Sequence, residues 1–170
     1  MALPPNVLLA MESEYPNTLL RLPGGATLDL RRALGPLERD QLARAGLPGV
    51  FAVLSAYPAP GEKRSAAQSE ARTAQLSRVL GALDAAPVPV LASSPDGAHL
   101  EPSLAARLER RSALAVARLF DQAALFWFDG ERMWIDWTDA RPPTALPLLA
   151  GANPFRVAKL NAHVDESGAH

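Results

Sequence analysis

Residues 51–56 read Phe-Ala-Val-Leu-Ser-Ala, six positions without a charge, and Pro58 and Pro60 follow at once. An apolar run this long, with no alternation, suits a strand in the middle of a sheet with both faces covered. Proline has no N–H for a ladder, so the strand must stop by Tyr57. The turn at 58–61 then feeds a helix predicted over residues 65–83, with Ser65 as its N-cap. Such a strand needs neighbours on both edges and cover on both faces, which the rest of the chain has to supply. The helix carries one anomaly. At 100° per residue Ser65, Ser69, Arg72, Leu76, Leu80 and Leu83 share a stripe. A guanidinium in an apolar stripe needs an anionic or carbonyl partner, and Glu101 is the expected one.

Outside this core the punctuation is frequent. Pro4-Pro5 introduce a helix over 6–15. Runs at 18–22 and 26–30 flank Pro23-Gly24-Gly25 as a hairpin. Gly35-Pro36 open a helix over 37–45 that Gly46 ends. Residues 87–91 hold two prolines and read as a short edge strand. Ser-Ser-Pro-Asp-Gly at 93–97 is a loop, and residues 101–104 fit no single template. A helical pattern is firm from Ser112 and ends at Asp121-Gln122. Residues 123–128 and 131–137 surround Asp129-Gly130, the pair typical of a two-residue type I′ hairpin. That loop sets Phe126 opposite Met133, Ala124 opposite Ile135, Leu125 opposite Trp134, and Trp127 opposite Arg132, a cation–π pair. The expected fold is α+β: a single domain over 1–150, a mostly antiparallel sheet with helices packed on one face. Residues 151–170 form a C-terminal segment, partly disordered at its end.

Composition narrows the function classes. The 170 residues suit one domain, and 48% hydrophobic with 21% charged residues is ordinary for a globular chain. A net charge of −1 provides no general field for nucleic acid or anionic membrane. There is no cysteine, hence no disulfide, thiolate nucleophile or thiolate metal site. The first residues lack the basic and apolar regions of a secretory signal, and no window approaches a membrane span of about 20 apolar residues. Lysine occurs only at 63 and 159, arginine elsewhere, as codon bias in a GC-rich bacterial genome would produce. A cytoplasmic location is expected.

No metal and no cofactor is expected either. His99, His163 and His170 have no zinc-ligand spacing, and neither a phosphate-cradling glycine loop nor a Gly-x-Ser-x-Gly elbow occurs. Arg72, Glu101, Ser103 and Gln122, with Tyr57 beside them, are the binding candidates. A paired guanidinium and carboxylate where elements meet can position a substrate. The plainer reading is a buried Arg72–Glu101 pair that ties a loop to a helix. Trp127, Arg132 and Trp134 are the candidate interface, an aromatic hairpin face covered by the tail or by another subunit. Arg107, Arg110 and Arg111 read as a solvated helix face.

The order and spacing of Ser55-Ala56-Tyr57, Gln68-Ser69 with Arg72, Pro95-Asp96-Gly97, Glu101-Pro102-Ser103 and Phe120-Asp121-Gln122 resemble a family of short bacterial proteins, domain of unknown function 3293. In that pattern an asparagine precedes the proline after the strand, and Glu-Asn precedes the helix arginine. Here Tyr57 adjoins Pro58, and Gln68 and Ser69 stand at the helix positions. The resemblance implies a fold and a compartment but no activity. The leading expectation is a non-enzymatic interaction or oligomerising domain, a homo-oligomer or a binder of a protein partner. The alternative is a small-ligand-binding protein or enzyme acting on an anionic or amide-bearing metabolite. A nucleic-acid-binding accessory protein is the third.

Overall fold

The computed structural model describes residues 4–58, 62–139 and 141–148. In chain order they form α1 (Pro5–Glu14), a 3-10 turn (Tyr15–Asn17), β1 (Leu19–Arg21), β2 (Thr27–Asp29), α2 (Pro36–Arg44), β3 (Phe51–Ser55), α3 (Ala66–Ala82), β4 (Val88–Ser93), β5 (Leu100–Ala106), α4 (Arg110–Leu119), β6 (Ala124–Phe128), β7 (Met133–Trp137) and β8 (Thr144–Leu146). The segment from 151 lies outside the described residues. No described helix is long and apolar enough to cross a membrane.

Helix ends follow local chemistry. Ser65 Oγ accepts the Gln68 N–H, and the Gln68 side chain accepts the Ser65 N–H in return, a reciprocal capping box. Glu38 Oε2 accepts the Gly35 N–H at the start of α2. Gly46, at φ +86°, ends it in the left-handed conformation that glycine adopts without strain.

The strands form one sheet in the order β2-β1-β4-β5-β3-β6-β7-β8, every pairing antiparallel. β3 is interior and all five of its residues are buried, as its apolar run requires. The expected α+β class is what is found. The sheet curls, so Leu30 and Leu34 beyond β2 reach Met133 of β7 and Leu146 of β8 in one cluster. This inner face also takes Leu42 of α2 and Tyr15. On the outer face α3 and α4 set Leu76, Leu80, Ala113, Val116 and Ala117 against Ala52, Leu54, Leu104, Ala106 and Leu125. Arg141 ties the segment after β7 to α1, stacking 4.1 Å over Trp137 and bonding Glu12.

Three local expectations are corrected. β4 is interior, between β1 and β5, and runs to Ser93. Its prolines do not forbid this, because β1 covers only Leu91–Ser93 and leaves Pro89 without a neighbour on that side. β5, which carries residues 101–104, is a seven-residue strand that tolerates Pro102 for the same reason, since β3 pairs with it only from Ser103 onward.

The third correction is the register of β6 and β7, which is two residues away from a two-residue loop. Phe126 pairs with Ile135, Trp127 with Trp134, Phe128 with Met133 and Leu125 with Asp136. Asp129 Oδ1 accepts the N–H groups of Glu131 and Arg132, and Oδ2 accepts the Trp134 indole N–H at 2.8 Å. These bonds hold Glu131 and Arg132 in the loop. A slip of two preserves facing, so Ala124, Phe126, Met133 and Ile135 still share the core face. Arg132 stands over Trp134 at 5.9 Å instead of meeting Trp127.

Candidate functional site

Alternation along the strands decides which polar groups meet. Val53, Ala105 and Phe126 face the inner cluster, so Ser55, Ser103 and Glu101 lie on that face by period two. Ser55 and Ser103 are cross-strand partners, both buried. At this end of the sheet the apolar inner layer gives way to hydroxyls, a carboxylate and, just before β6, the Gln122 amide. A cleft of about 1230 Å³ opens there, above the ~300–1,000 Å³ usual for small-molecule sites. Tyr57, Glu101, Ser103 and Gln122 of the sequence candidates all line it.

The polar groups hold each other in place. Ser55 Oγ accepts the Tyr57 N–H at 2.8 Å, turning the chain out of β3. Ser103 Oγ donates to the Glu101 carbonyl at 3.1 Å. His99 Nε2 lies 3.3 Å from Glu101 Oε2, and the Tyr57 ring stands edge-on to the imidazole at 5.9 Å. Ser94 Oγ donates to Asp96 Oδ1 and accepts the His99 N–H. The Ser94 hydroxyl, with the Ala98 N–H, holds the Asp96 carboxyl below its usual range. Arg64 grips Glu62 at 2.7 and 2.8 Å and donates to the Ala56 carbonyl, closing the wall that follows β3. Tyr15 packs edge-on against Phe126 and Trp137. Burial, then the negative charges of Glu101 and Glu14, push its phenol ionisation well up.

Arg72 is placed elsewhere. Its helix lies on the outer face, opposite Glu101, and its Nη2 donates to Asp121 Oδ2 at 2.6 Å, with the guanidinium over the Phe120 ring at 5.5 Å. The expected Arg72–Glu101 pair is therefore corrected to Arg72–Asp121, with Glu101 beside His99. The physical reason is the strand at 100–106, whose alternation sends Glu101 inward and Leu104 outward into the layer formed with α3 and α4.

Asp121 terminates α4. Its N–H bonds the Arg118 carbonyl, and the Gln122 N–H bonds the Ala117 carbonyl, the paired bonds of a Schellman ending. Asp121 has φ +57° there, a conformation costly for most residues with a Cβ but tolerated by Asp. The Arg72 bond holds that carboxylate at the rim of the cleft. Gln122 follows with its Oε1 buried and without a hydrogen-bond partner among the described residues.

Sequence reasoning passed over Asp121, His99 and Tyr15. A signal existed for two of them. His99, just before β5, and Glu101, within it, are two apart. An acid where glycine usually ends a helix marks Asp121. Tyr15 had none, because its neighbours Glu101 and Phe126 are remote in the chain.

The candidate interface sits on the outer face of the last hairpin. Trp127 and Trp134 are half-buried, Arg132 exposed. Beside that pair Leu125 and Asp136 are closed over by α4, where Arg110 grips Asp136 at 2.5 and 2.9 Å. Among the described residues no group of three or more His, Asp or Glu could hold a metal ion.

Residues 54–125 match the model of a family described as protein of unknown function (DUF3293), and all the motif residues named above lie inside that stretch. No curated protein and no solved structure matches the chain.

Proposed function

We propose that this chain, whose residues 54–125 match the DUF3293 family model, is a small-molecule-binding protein whose site is the cleft at the polar end of the inner sheet face. One observation carries this reading: two neighbouring strands, β3 and β5, and the α4 terminus direct Ser55, Ser103, Glu101 and Gln122 into a single large cleft. Ser55, Ser103 and Glu101 have local partners, but the buried Gln122 Oε1 has none among the described residues, and such an atom costs ~1–3 kcal/mol. These polar groups are economically explained by a ligand that uses them. An interaction or oligomerising role would use the aromatic hairpin face, where α4 covers Leu125 and Asp136 and leaves Trp127 and Trp134 half-buried and Arg132 exposed. Arg72 no longer favours an anionic ligand, since its charge is engaged by Asp121.

The test is a fragment screen followed by amide chemical shifts on the full chain. Binders are expected to shift His99, Glu101, Ser103 and Gln122 together. Hits that move only the Trp127–Trp134 face would favour the interaction reading, and a screen with no hits at the cleft would remove the present one.

A further inference from the structure

We infer that the ligand of this cleft presents a cationic nitrogen, of ammonium or amidinium type, to Glu101 beneath the Tyr15 hydroxyl. This rests on the cleft being a binding site as proposed above, and adds the charge and chemistry of what it takes.

Counting which charges are already engaged leads there. Among the cations, Arg64 is held by Glu62 and the Ala56 carbonyl, and Arg72 lies on the outer face bound to Asp121. Lys63 is exposed at the rim. Among the described residues no guanidinium is left directed at the floor for an anion. Among the acids, Asp121 and Glu62 have arginine partners, and Asp96 is held by Ser94 and the Ala98 N–H. Glu101 has only the exposed His99 at 3.3 Å, and Glu14 pairs with no cation among the described residues. An anion seated here would face both carboxylates at reduced dielectric.

A second observation is independent of the acids. The half-buried Tyr15 side chain lines the wall of the cleft, and no hydrogen bond to its hydroxyl occurs among the described residues. A neutral phenol oxygen accepts an N–H well. The rings of Tyr15, Tyr57 and Phe126 also line the space, and aromatic faces beside carboxylates are how proteins recognise amines. An ammonium group would satisfy Glu101, the hydroxyl and the rings at once. An alcohol would satisfy only the hydroxyl.

The experiment titrates the full chain at neutral pH with three matched probes, phenethylamine, phenethyl alcohol and phenylacetate, following the amides of His99, Glu101, Ser103 and Gln122. The amine should bind about tenfold more tightly than the alcohol, and the acid should leave the cleft unshifted. Glu101→Gln should bring the amine down to the affinity of the alcohol. Tyr15→Phe should weaken the amine several-fold while keeping the fold, because the hydroxyl has no partner to lose among the described residues. Alcohol or acid binding in the cleft as tightly as the amine overturns the charge assignment and leaves the binding site standing. Amine affinity unchanged in both variants does the same. Cleft amides that stay unmoved by all three probes overturn the inference together with the binding reading.

Discussion

Leu54 and Ser55 are adjacent on the central strand yet belong to opposite surfaces with different physics. The same division repeats on both neighbours, with Leu104 beside Ser103 and Leu125 beside Ala124. On the outer side the leucines meet α3 and α4 and form a closed apolar layer. On the inner side the small and hydroxyl residues leave a gap that Tyr15, Glu101 and Gln122 border. A sheet can therefore separate stability from binding within one strand, because alternation gives each face its own sequence. The hydrophobic layer can be tuned without touching the cleft, and the reverse.

The sharpest way to break that comparison is to empty the closed face. Leu54→Ala removes a fully buried side chain and should cost about 2–5 kcal/mol in denaturant unfolding. Its cleft amides should keep their shifts. Arg110→Ala leaves the buried Asp136 carboxylate without its two charge-assisted bonds, and should cost about 2 kcal/mol by the same measurement. On the open face, Ser55→Ala should cost only about 1 kcal/mol, the worth of the bond to the Tyr57 N–H, and should disturb the cleft residues around Tyr57. A loss from Ser55→Ala as large as that from Leu54→Ala would erase the distinction between the faces.

Smaller still is Arg72→Ala. Asp121 is 73% exposed as a side chain, so losing their pair should cost about 1 kcal/mol or less, a melting shift of roughly 2–4 °C at this length. A loss of several kcal/mol would mean that Arg72 anchors the end of α4 more firmly than a surface pair can.

Tyr15→Phe should be nearly silent at neutral pH, within about 0.5 kcal/mol. Its signature is alkaline. The folded state holds the phenol ionisation above its ordinary value of 10.0, while the unfolded chain releases that proton near it. Stability is therefore full below about pH 10 and falls as the pH rises above it. The variant should lose less stability than the parent between neutral and strongly alkaline solution, read as the difference in denaturation midpoints. Equal losses would place the hydroxyl in water.

Much of this architecture is legible along the chain because its signals are local. The apolar run of β3, the reciprocal Ser65–Gln68 cap and the glycine at 46 act within a few residues of themselves. Asp129-Gly130 marked the right hairpin but the wrong register, since the Asp129 carboxylate chose Glu131, Arg132 and the Trp134 indole as partners, and residue preferences at a turn do not encode that choice. The prolines of β4 and β5 misled for a related reason. A missing N–H matters only where a neighbouring strand would have used it, and where β1 and β3 stop is a property of the sheet.

The candidate site divides along the same line. Glu101, Ser103, Gln122 and Tyr57 could be named from residue type and spacing, and they do share a cleft. That Arg72 lies across the sheet from Glu101 could not be read before the strand at 100–106 was placed, because one residue of register exchanges the faces. Local propensity and hydrophobic periodicity set most of the elements, the buried centre and the inventory of polar groups, though not the strand at 100–106 or β8. Only the tertiary structure decided which charges are already engaged. Ion pairing depends on distances between segments far apart in the chain, as between Arg72 and Asp121, and those distances exist only once the sheet has curled and the helices have closed one face.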